Sequence, residues 1–183
     1  LNFNNNATAS NYNRWADSVA INLDGATLSI NSLNNVNAAG NVEDVGALTY
    51  GRGAVISVAR VGTGSVALRT PTFTRTNSGT VQILAASSTS LGSAAIGTAS
   101  TDNLIAGAGT GAATNVTASG NVNGMLPAYF INGTANTFVT YGANGFTNAA
   151  FTSGFSFTGG TWGTTNGSGV QIADVATANL VLA

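Results

Sequence analysis

The sequence contains no cysteine, no histidine and no lysine. Without cysteine there are no disulfides and no thiolate metal sites, a lack compatible with either side of a membrane. Without histidine, cysteine or lysine, the usual general bases and activators of covalent nucleophiles are missing, and the many serines have no triad partner. Charge is scarce as well. Only 6% of the 183 residues are charged, against about 25% in an average soluble domain. The net charge of −1 gives no electrostatic footprint for nucleic acid or an anionic membrane. No apolar run reaches the roughly 18 residues that a spanning helix needs. These absences remove most enzymes and most nucleic-acid binders.

What is present is apolar and small: 44% hydrophobic residues and 24 glycines, with much of the remainder Asn, Thr and Ser. The length suits a single domain, residues 1–183, with a sizeable core. The stretch from Glu43 to Arg75 sets the pattern. Val45, Ala47, Leu48 and Tyr50, then Val55, Ile56 and Val58, then Val66 and Leu68, then Phe73 form short β-branched or aromatic runs. Gly51, Gly53, Gly62 and Gly64 interrupt them, which is the signature of successive short strands. Such residues are poor helix formers, and no run is long enough for a helix.

Upstream, Leu1 and Phe3 suggest a first strand, followed by an asparagine run at Asn4–Asn6 that fits a loop or a stacked amide ladder. Val19, Ile21 and Leu23 alternate, Asp24-Gly25 is a tight-turn dipeptide, and Leu28 and Ile30 resume beyond it, a strand, a turn and a strand. Downstream, Val81, Ile83 and Leu84 make another strand. Residues 87–121 are rich in Ala, Ser, Gly and Thr with isolated Leu91, Ile96, Leu104, Ile105 and Val116, which suits an ordered thin coil filled by small side chains. Leu126-Pro127 marks a strand edge or bend. Tyr129-Phe130-Ile131 with Asn132-Gly133 reads as strand and turn. Phe146, Phe151, Phe155, Phe157 and Trp162 concentrate aromatics, either as stacked core layers or as a sugar platform. Val170, Ile172 and Leu180-Val181-Leu182 form the last strands.

Several of these segments together resemble the autotransporter-associated β-strand repeat family. They are Arg14-x-x-Asp17-Ser18, Val19-x-Ile21-x-Leu23-Asp24-Gly25-Ala26-Thr27-Leu28, and Val42-Glu43-Asp44-Val45-Gly46-Ala47-Leu48-Thr49. To these add Ala67-Leu68-Arg69 leading to Phe73-Thr74-Arg75, Leu91-Gly92, Gly124-Met125-Leu126-Pro127-Ala128-Tyr129-Phe130, and Phe138-Val139-Thr140-Tyr141-Gly142-Ala143-Asn144-Gly145-Phe146. The resemblance spans about Leu1 to Ala150. Thr137 stands where the family often has Asp, and Asp24-Gly25 replaces its usual glycine-rich turn. The family offers no catalytic motif to carry over. It implies a right-handed parallel β-helix and a bacterial surface or secreted protein.

The strand pattern itself leaves sandwich, barrel or solenoid. Leu28, Leu48 and Leu68 recur at gaps near 20 residues, roughly a solenoid coil. With the resemblance, the expected fold is an all-β right-handed parallel β-helix (β-solenoid), with a β-sandwich as the alternative. About nine coils of roughly 20 residues would make a rod on the order of 43 Å long. Its ends should offer unpaired edges for continuation. Leu1, Phe3, Leu180, Val181 and Leu182 are the expected self-assembly edges, uncharged and free of proline. The chain opens with Leu1 and shows no leader pattern, which fits processing or a segment of a longer repeat protein.

The six carboxylates are Asp17, Asp24, Glu43, Asp44, Asp102 and Asp174. Glu43 and Asp44 should face opposite sides of a strand, so they do not form a dyad. All five cations are arginines, Arg14, Arg52, Arg60, Arg69 and Arg75, and the four from Arg52 to Arg75 fit either a basic stripe for an acidic glycan or solvated strand faces. No catalytic residue, cofactor site or metal site is expected; calcium is disfavoured because the glycine-aspartate nonapeptide is absent. The sequence therefore points to an extracellular or cell-surface structural protein forming a fibre or surface layer by head-to-tail coil stacking with itself. The alternative is an adhesin-like module binding surface glycans, with Phe155, Phe157 and Trp162 as the stacking residues.

Overall fold

A computed structural model describes residues 2–4, 15–32, 41–107 and 125–149. Among these residues the chain is all-β, without a helix, so none is present that could cross a membrane. The strands are β1 (Asn2–Asn4), β2 (Ile21–Asp24), β3 (Thr27–Ser32), β4 (Val42–Asp44), β5 (Leu48–Gly51), β6 (Ala54–Arg60) and β7 (Ser65–Thr70). β8 (Phe73–Arg75), β9 (Val81–Ala85), β10 (Thr101–Ala106), β11 (Phe130–Asn132), β12 (Thr137–Gly142) and β13 (Gly145–Asn148) follow. The four strands expected between Glu43 and Arg75 are β5 to β8.

The strands fall into three sheets. Sheet I has the order β1-β3-β6-β9-β11-β12-β13, sheet II β2-β5-β8 and sheet III β4-β7-β10. From β2 to β10 the chain visits sheets II, I and III in rotation, so each strand pairs with the third one along, always in parallel. Ile21 lies opposite Leu48 and Leu48 opposite Phe73; Leu28 lies opposite Ile56 and Ile56 opposite Ile83. A full turn of the chain is therefore the step from Leu28 to Ile56, which is longer than the step from Leu28 to Leu48. The leucine recurrence is a different quantity. Leu28, Leu48 and Leu68 sit on β3, β5 and β7, one in each sheet, and mark the step from one sheet to another.

The core lies between the three sheets. Because side chains alternate across a strand, in-register pairing stacks each inward row on itself: Leu28–Ile56–Ile83, Ile30–Val58–Ala85 and Ile21–Leu48–Phe73, all buried. Near one end an aromatic group fills the interior. The Tyr50 and Phe73 rings are 4.7 Å apart, Phe73 and Phe146 5.6 Å, and Phe130 and Phe146 5.5 Å. Phe146 thus belongs to the core; Phe151, Phe155, Phe157 and Trp162 lie outside the described residues, as do Val170 and Ile172.

Two local expectations change, and the order expected for residues 87–121 is found as far as residue 107. Asp24-Gly25 turns the chain from sheet II into sheet I; it does not close a hairpin, and Gly25, at φ +68°, donates to the Gly51 carbonyl of the next turn of chain. Val19 precedes β2 and is 42% exposed. Residues 87–107 are ordered as turns leading into β10, with Leu91, Leu104 and Ile105 buried. This insertion lengthens the sheet III return, so that Ala67 faces Asn103 across a longer loop of chain than any other pair in the rotation. Residues 108–121 lie outside the described set.

Ile56 is fully buried between Leu28 and Ile83. Ile56→Ala should cost about 2–5 kcal/mol, whereas Val19→Ala should stay within about 0.5 kcal/mol. Urea midpoints of the two variants read the contrast, and equal midpoints would refute the assigned core.

Candidate functional site

The sparse charges come first, because they are where chemistry would have to reside. Asp102 lies opposite Val66 on an inward row of β10 and is wholly buried. Its Oδ1 accepts the Arg60 amide (3.0 Å), and its Oδ2 accepts the Ala86 amide (2.8 Å) and the Ser90 hydroxyl. Arg60 Nε stands 3.8 Å from Oδ1 and supplies the countercharge. One carboxylate thus fastens the ends of β6 and β9 to β10. Glu43 heads the inward row that continues as Leu68 and Leu104, and accepts the Trp15 amide at 2.8 Å. Asp44, on the opposite face of β4 as expected, holds Arg69 through two bonds of 2.6 and 2.5 Å. That pairing raises the Arg69 pKa above its ordinary value, against the lowering by burial.

Asp24 pairs with Arg52 at 3.4 Å. The guanidinium of Arg75 donates to the Gly79 and Ser78 carbonyls and lies 3.9 Å from the Tyr129 ring centre. The four described arginines of the five are spread over the sheets and the corners between them, each engaged locally, and among them they form no basic stripe. Among the described residues no group of three His, Cys, Asp or Glu could hold a metal. Two concavities lie among the described residues. One of about 340 Å³ is lined by Asp17, Asp44, Arg69, Thr70 and Pro71, and one of about 240 Å³ by uncharged Gly53, Val55, Thr80, Gln82 and Ile131.

The ends of the sheets carry a more specific arrangement. Among the described residues, β1, β2 and β4 are the edge strands of sheets I, II and III at one end. Phe3, an expected assembly edge, is in β1 opposite Ile30. Leu1, Leu180, Val181 and Leu182, like the proposed sugar-stacking Phe155, Phe157 and Trp162, lie outside the described residues.

At the other end the direction of pairing reverses. β11 joins β9 in parallel, but β12 runs antiparallel to β11 and β13 antiparallel to β12. The β12–β13 hairpin, turning through Ala143-Asn144, folds against β10. The Tyr141 hydroxyl accepts the Ala106 amide (2.9 Å) and donates to the Ala106 carbonyl (3.0 Å). Since Gly107 donates to Thr70 of β7, and successive backbone groups alternate in direction, the Ala106 pair points to the edge where a next strand would bind. At Asp102 the same edge is taken by the Ser90 carbonyl and the Gly92 amide. Between them, Gly145 at φ +90° packs so closely on the Leu104 carbonyl that no side chain fits there.

Amide side chains complete the attachment. Asn103 Nδ2 donates to the Asn144 carbonyl (3.1 Å) and Asn144 Nδ2 to the Gly92 carbonyl (3.4 Å). Asn132 Nδ2 donates to Asn148 Oδ1 (2.7 Å), and Asn148 Nδ2 to the Ser88 carbonyl (2.7 Å). The expectation of bare edges did not anticipate this hairpin. Its signal was present in the Gly142-Ala143-Asn144-Gly145 run, glycine and asparagine around the turn between alternating Val139, Tyr141 and Phe146.

Compared with family models, with curated proteins and with solved structures, the chain finds no match in any of the three.

Two outcomes follow from this geometry. Asp102→Ala strands two amides, a hydroxyl and the Arg60 charge, and should cost about 3–5 kcal/mol; a urea midpoint unchanged from the parent would refute the role. Burial, with a smaller contribution from Tyr129, raises the Tyr50 phenol far above its ordinary value of 10.0. The folded state therefore favours the protonated phenol. That stability is complete below the ordinary phenol pKa and is lost as pH rises through the raised one. Tyr50→Phe should flatten the alkaline limb of a stability–pH curve, and an unchanged limb would count against it.

Proposed function

We propose that this chain is a β-solenoid segment of an extracellular structural protein, a scaffold for a fibre or surface layer in which coils stack on coils. The observation that carries the reading is the rotation of the chain through three sheets, each strand pairing in parallel with the one that follows a full circuit later. Parallel pairing of every third strand favours a solenoid over the antiparallel β-sandwich. The resemblance to autotransporter-associated β-strand repeats supports the same right-handed fold and a place on a bacterial surface. Val45-Gly46-Ala47-Leu48 and Val139-Thr140-Tyr141-Gly142, which carry much of that resemblance, form a corner leading into β5 and most of β12. Engagement of the described acids other than Asp17 in ion pairs or backbone contacts supports a structural over a catalytic role.

A second reading, adhesion to glycans, draws on the 240 Å³ groove on the outer face of sheet I. Its lining of Val55, Thr80, Gln82 and Ile131 bears no charge, which suits a neutral saccharide and not an acidic one.

Duplicating residues 21–47, one full passage through the three sheets, tests the solenoid directly. The enlarged chain should fold and lengthen by one layer, about 4.8 Å, seen by cryo-electron microscopy or small-angle scattering. A duplication that unfolds the chain or thickens it sideways would refute the reading. For the surface role, antibody labelling of intact cells making the parent protein should be positive; labelling only after lysis would overturn it.

A further inference from the structure

The outward face of sheet III is both polar and buried. On β7 and β10 the outward Ser65, Ala67, Thr101 and Asn103 alternate with the inward Val66, Leu68, Asp102 and Leu104, and all four are wholly or almost wholly buried. Turn segment 93–100 covers them. The Ser93 hydroxyl lies 3.4 Å from that of Thr101, and Asn103 Nδ2 donates to the Ala94 carbonyl (3.0 Å). The Ser100 amide is shared between the Thr63 and Gly64 carbonyls (3.1 and 2.9 Å). Two oxygens beneath this cover take no part in the bonding. Among the described residues, Ser65 Oγ and Asn103 Oδ1 have no hydrogen-bond partner, although both are out of reach of bulk solvent.

The donors and acceptors beneath the cover do not balance. Both hydrogens of the Asn103 amide are engaged, by the Ala94 and Asn144 carbonyls, so its oxygen needs a donor from elsewhere. The Ser93 hydroxyl gives its hydrogen to the Ser90 carbonyl (3.1 Å). Thr101 has one hydrogen, directed at Ser93 or at the Ala99 carbonyl 3.5 Å away. The Ser65 hydroxyl keeps a hydrogen and two lone pairs unused. It does not reach Asn103 directly. Ser65 lies opposite Thr101 and Ala67 opposite Asn103, so the two are one strand and two positions apart, about 8 Å between backbones. Ala67 places only a methyl group beside that diagonal. Left dry, each oxygen would cost the fold about as much as a lost hydrogen bond.

We infer that sheet III and segment 93–100 enclose a binding site for one water molecule, which donates to Asn103 Oδ1 and exchanges a hydrogen bond with Ser65 Oγ. Both a donor and an acceptor are called for in a small space, and the Thr101 hydroxyl beside them brings the polar partners into the range a buried water needs. A cation would supply no acceptor for the Ser65 hydrogen. The neighbouring carboxylate, Asp102, faces inward with both oxygens engaged. The water has a structural consequence. By holding Oδ1, it fixes the Asn103 amide in the orientation in which Nδ2 reaches Ala94 and Asn144 together. The 93–100 segment and the β12–β13 turn are thus joined to β10 through one hydrated side chain. This inference stands apart from the proposed surface role.

The test uses the whole chain and the variant Ser65→Ala. A crystal structure at a resolution that shows ordered water locates the site, and NMR cross-relaxation between water and the Asn103 side-chain amide reports its occupancy in solution. The parent should show one density peak about 2.7–3.2 Å from both Asn103 Oδ1 and Ser65 Oγ, and cross-relaxation of the sign given by long-lived water. Ser65→Ala removes one anchor and should abolish that cross-relaxation while the chain stays folded. Three results would overturn the inference. The first is a parent in which both oxygens bond directly to protein groups with no density between them. The second is a peak ringed by six or more oxygens at about 2.3–2.6 Å, the mark of a cation site. The third is cross-relaxation unchanged in a folded Ser65→Ala. If that variant does not fold, the parent density decides alone.

Discussion

In-register parallel pairing between successive turns of the chain is the constraint on which the rest of this structure depends. A shift of one residue in any strand would move its inward row to the outside. Leu28, Ile56 and Ile83 share one row because β3, β6 and β9 keep register. The differences in chain length between turns must then be absorbed elsewhere. They are absorbed at corners. The return from Asp44 to Arg69 is shorter than that from Ile21 to Leu48, and the return from Leu28 to Ile56 is longer than either. The longest within the rotation from β2 to β10, from Ala67 to Asn103, places its surplus in the turns before β10. Asp102 is what lets that long return rejoin the stack. It fixes the ends of β6 and β9 through the Arg60 and Ala86 amides, and its burial is tolerable because Arg60 and Ser90 answer the charge.

Stacking of this kind has no intrinsic length. Each added coil buries its apolar row and pairs its backbone, so a stack ends only where something makes the next coil unfavourable. An apolar plug alone would fill the interior but leave backbone donors and acceptors of the last strands unpaired, and such edges recruit other strands. At β10 the two needs are shared. Phe146 and Tyr141 enter the aromatic core, while the Tyr141 hydroxyl and the Ser90–Gly92 turn take the edge positions at Ala106 and Asp102, and Gly145 packs on the Leu104 carbonyl. Pairing along sheet I, parallel from β1 to β11, turns antiparallel at β12.

How much of this was legible in the residues follows from the range of each interaction. Strand positions from Leu48 to Phe73 were readable because β-branched runs and glycine breaks are local signals. The opposite orientations of Glu43 and Asp44 follow from alternation alone. The true return length was not readable from leucines at 28, 48 and 68, since each inward row of one sheet looks like the inward row of another; only pairing distinguishes a step between sheets from a full turn. Asp24-Gly25 carries the chemistry of a tight turn, and whether that turn closes a hairpin or a corner depends on its partner Gly51, a full circuit further along the chain. Conversely, Ala143-Asn144 does close a hairpin, because β12 pairs directly with β13. The hairpin's attachment to β10 eluded the sequence for the same reason: Tyr141 bonds to Ala106 across 35 positions.

The scarcity of charge now acquires a physical reading. In a stack of in-register parallel strands, identical positions repeat one layer apart, about 4.8 Å, so a charge on a row repels its own kind unless the row is broken. Here Asp44 is answered by Arg69 in the adjacent strand and Asp24 by Arg52 at the next corner, pairs formed between layers. Uncharged side chains carry the outward positions of β3, β6 and β9: Thr27, Ser29 and Asn31, then Val55, Ser57 and Ala59, then Gln82 and Leu84. Among the described residues such a surface repeats from layer to layer without electrostatic cost, and the charges it does carry are paired between layers.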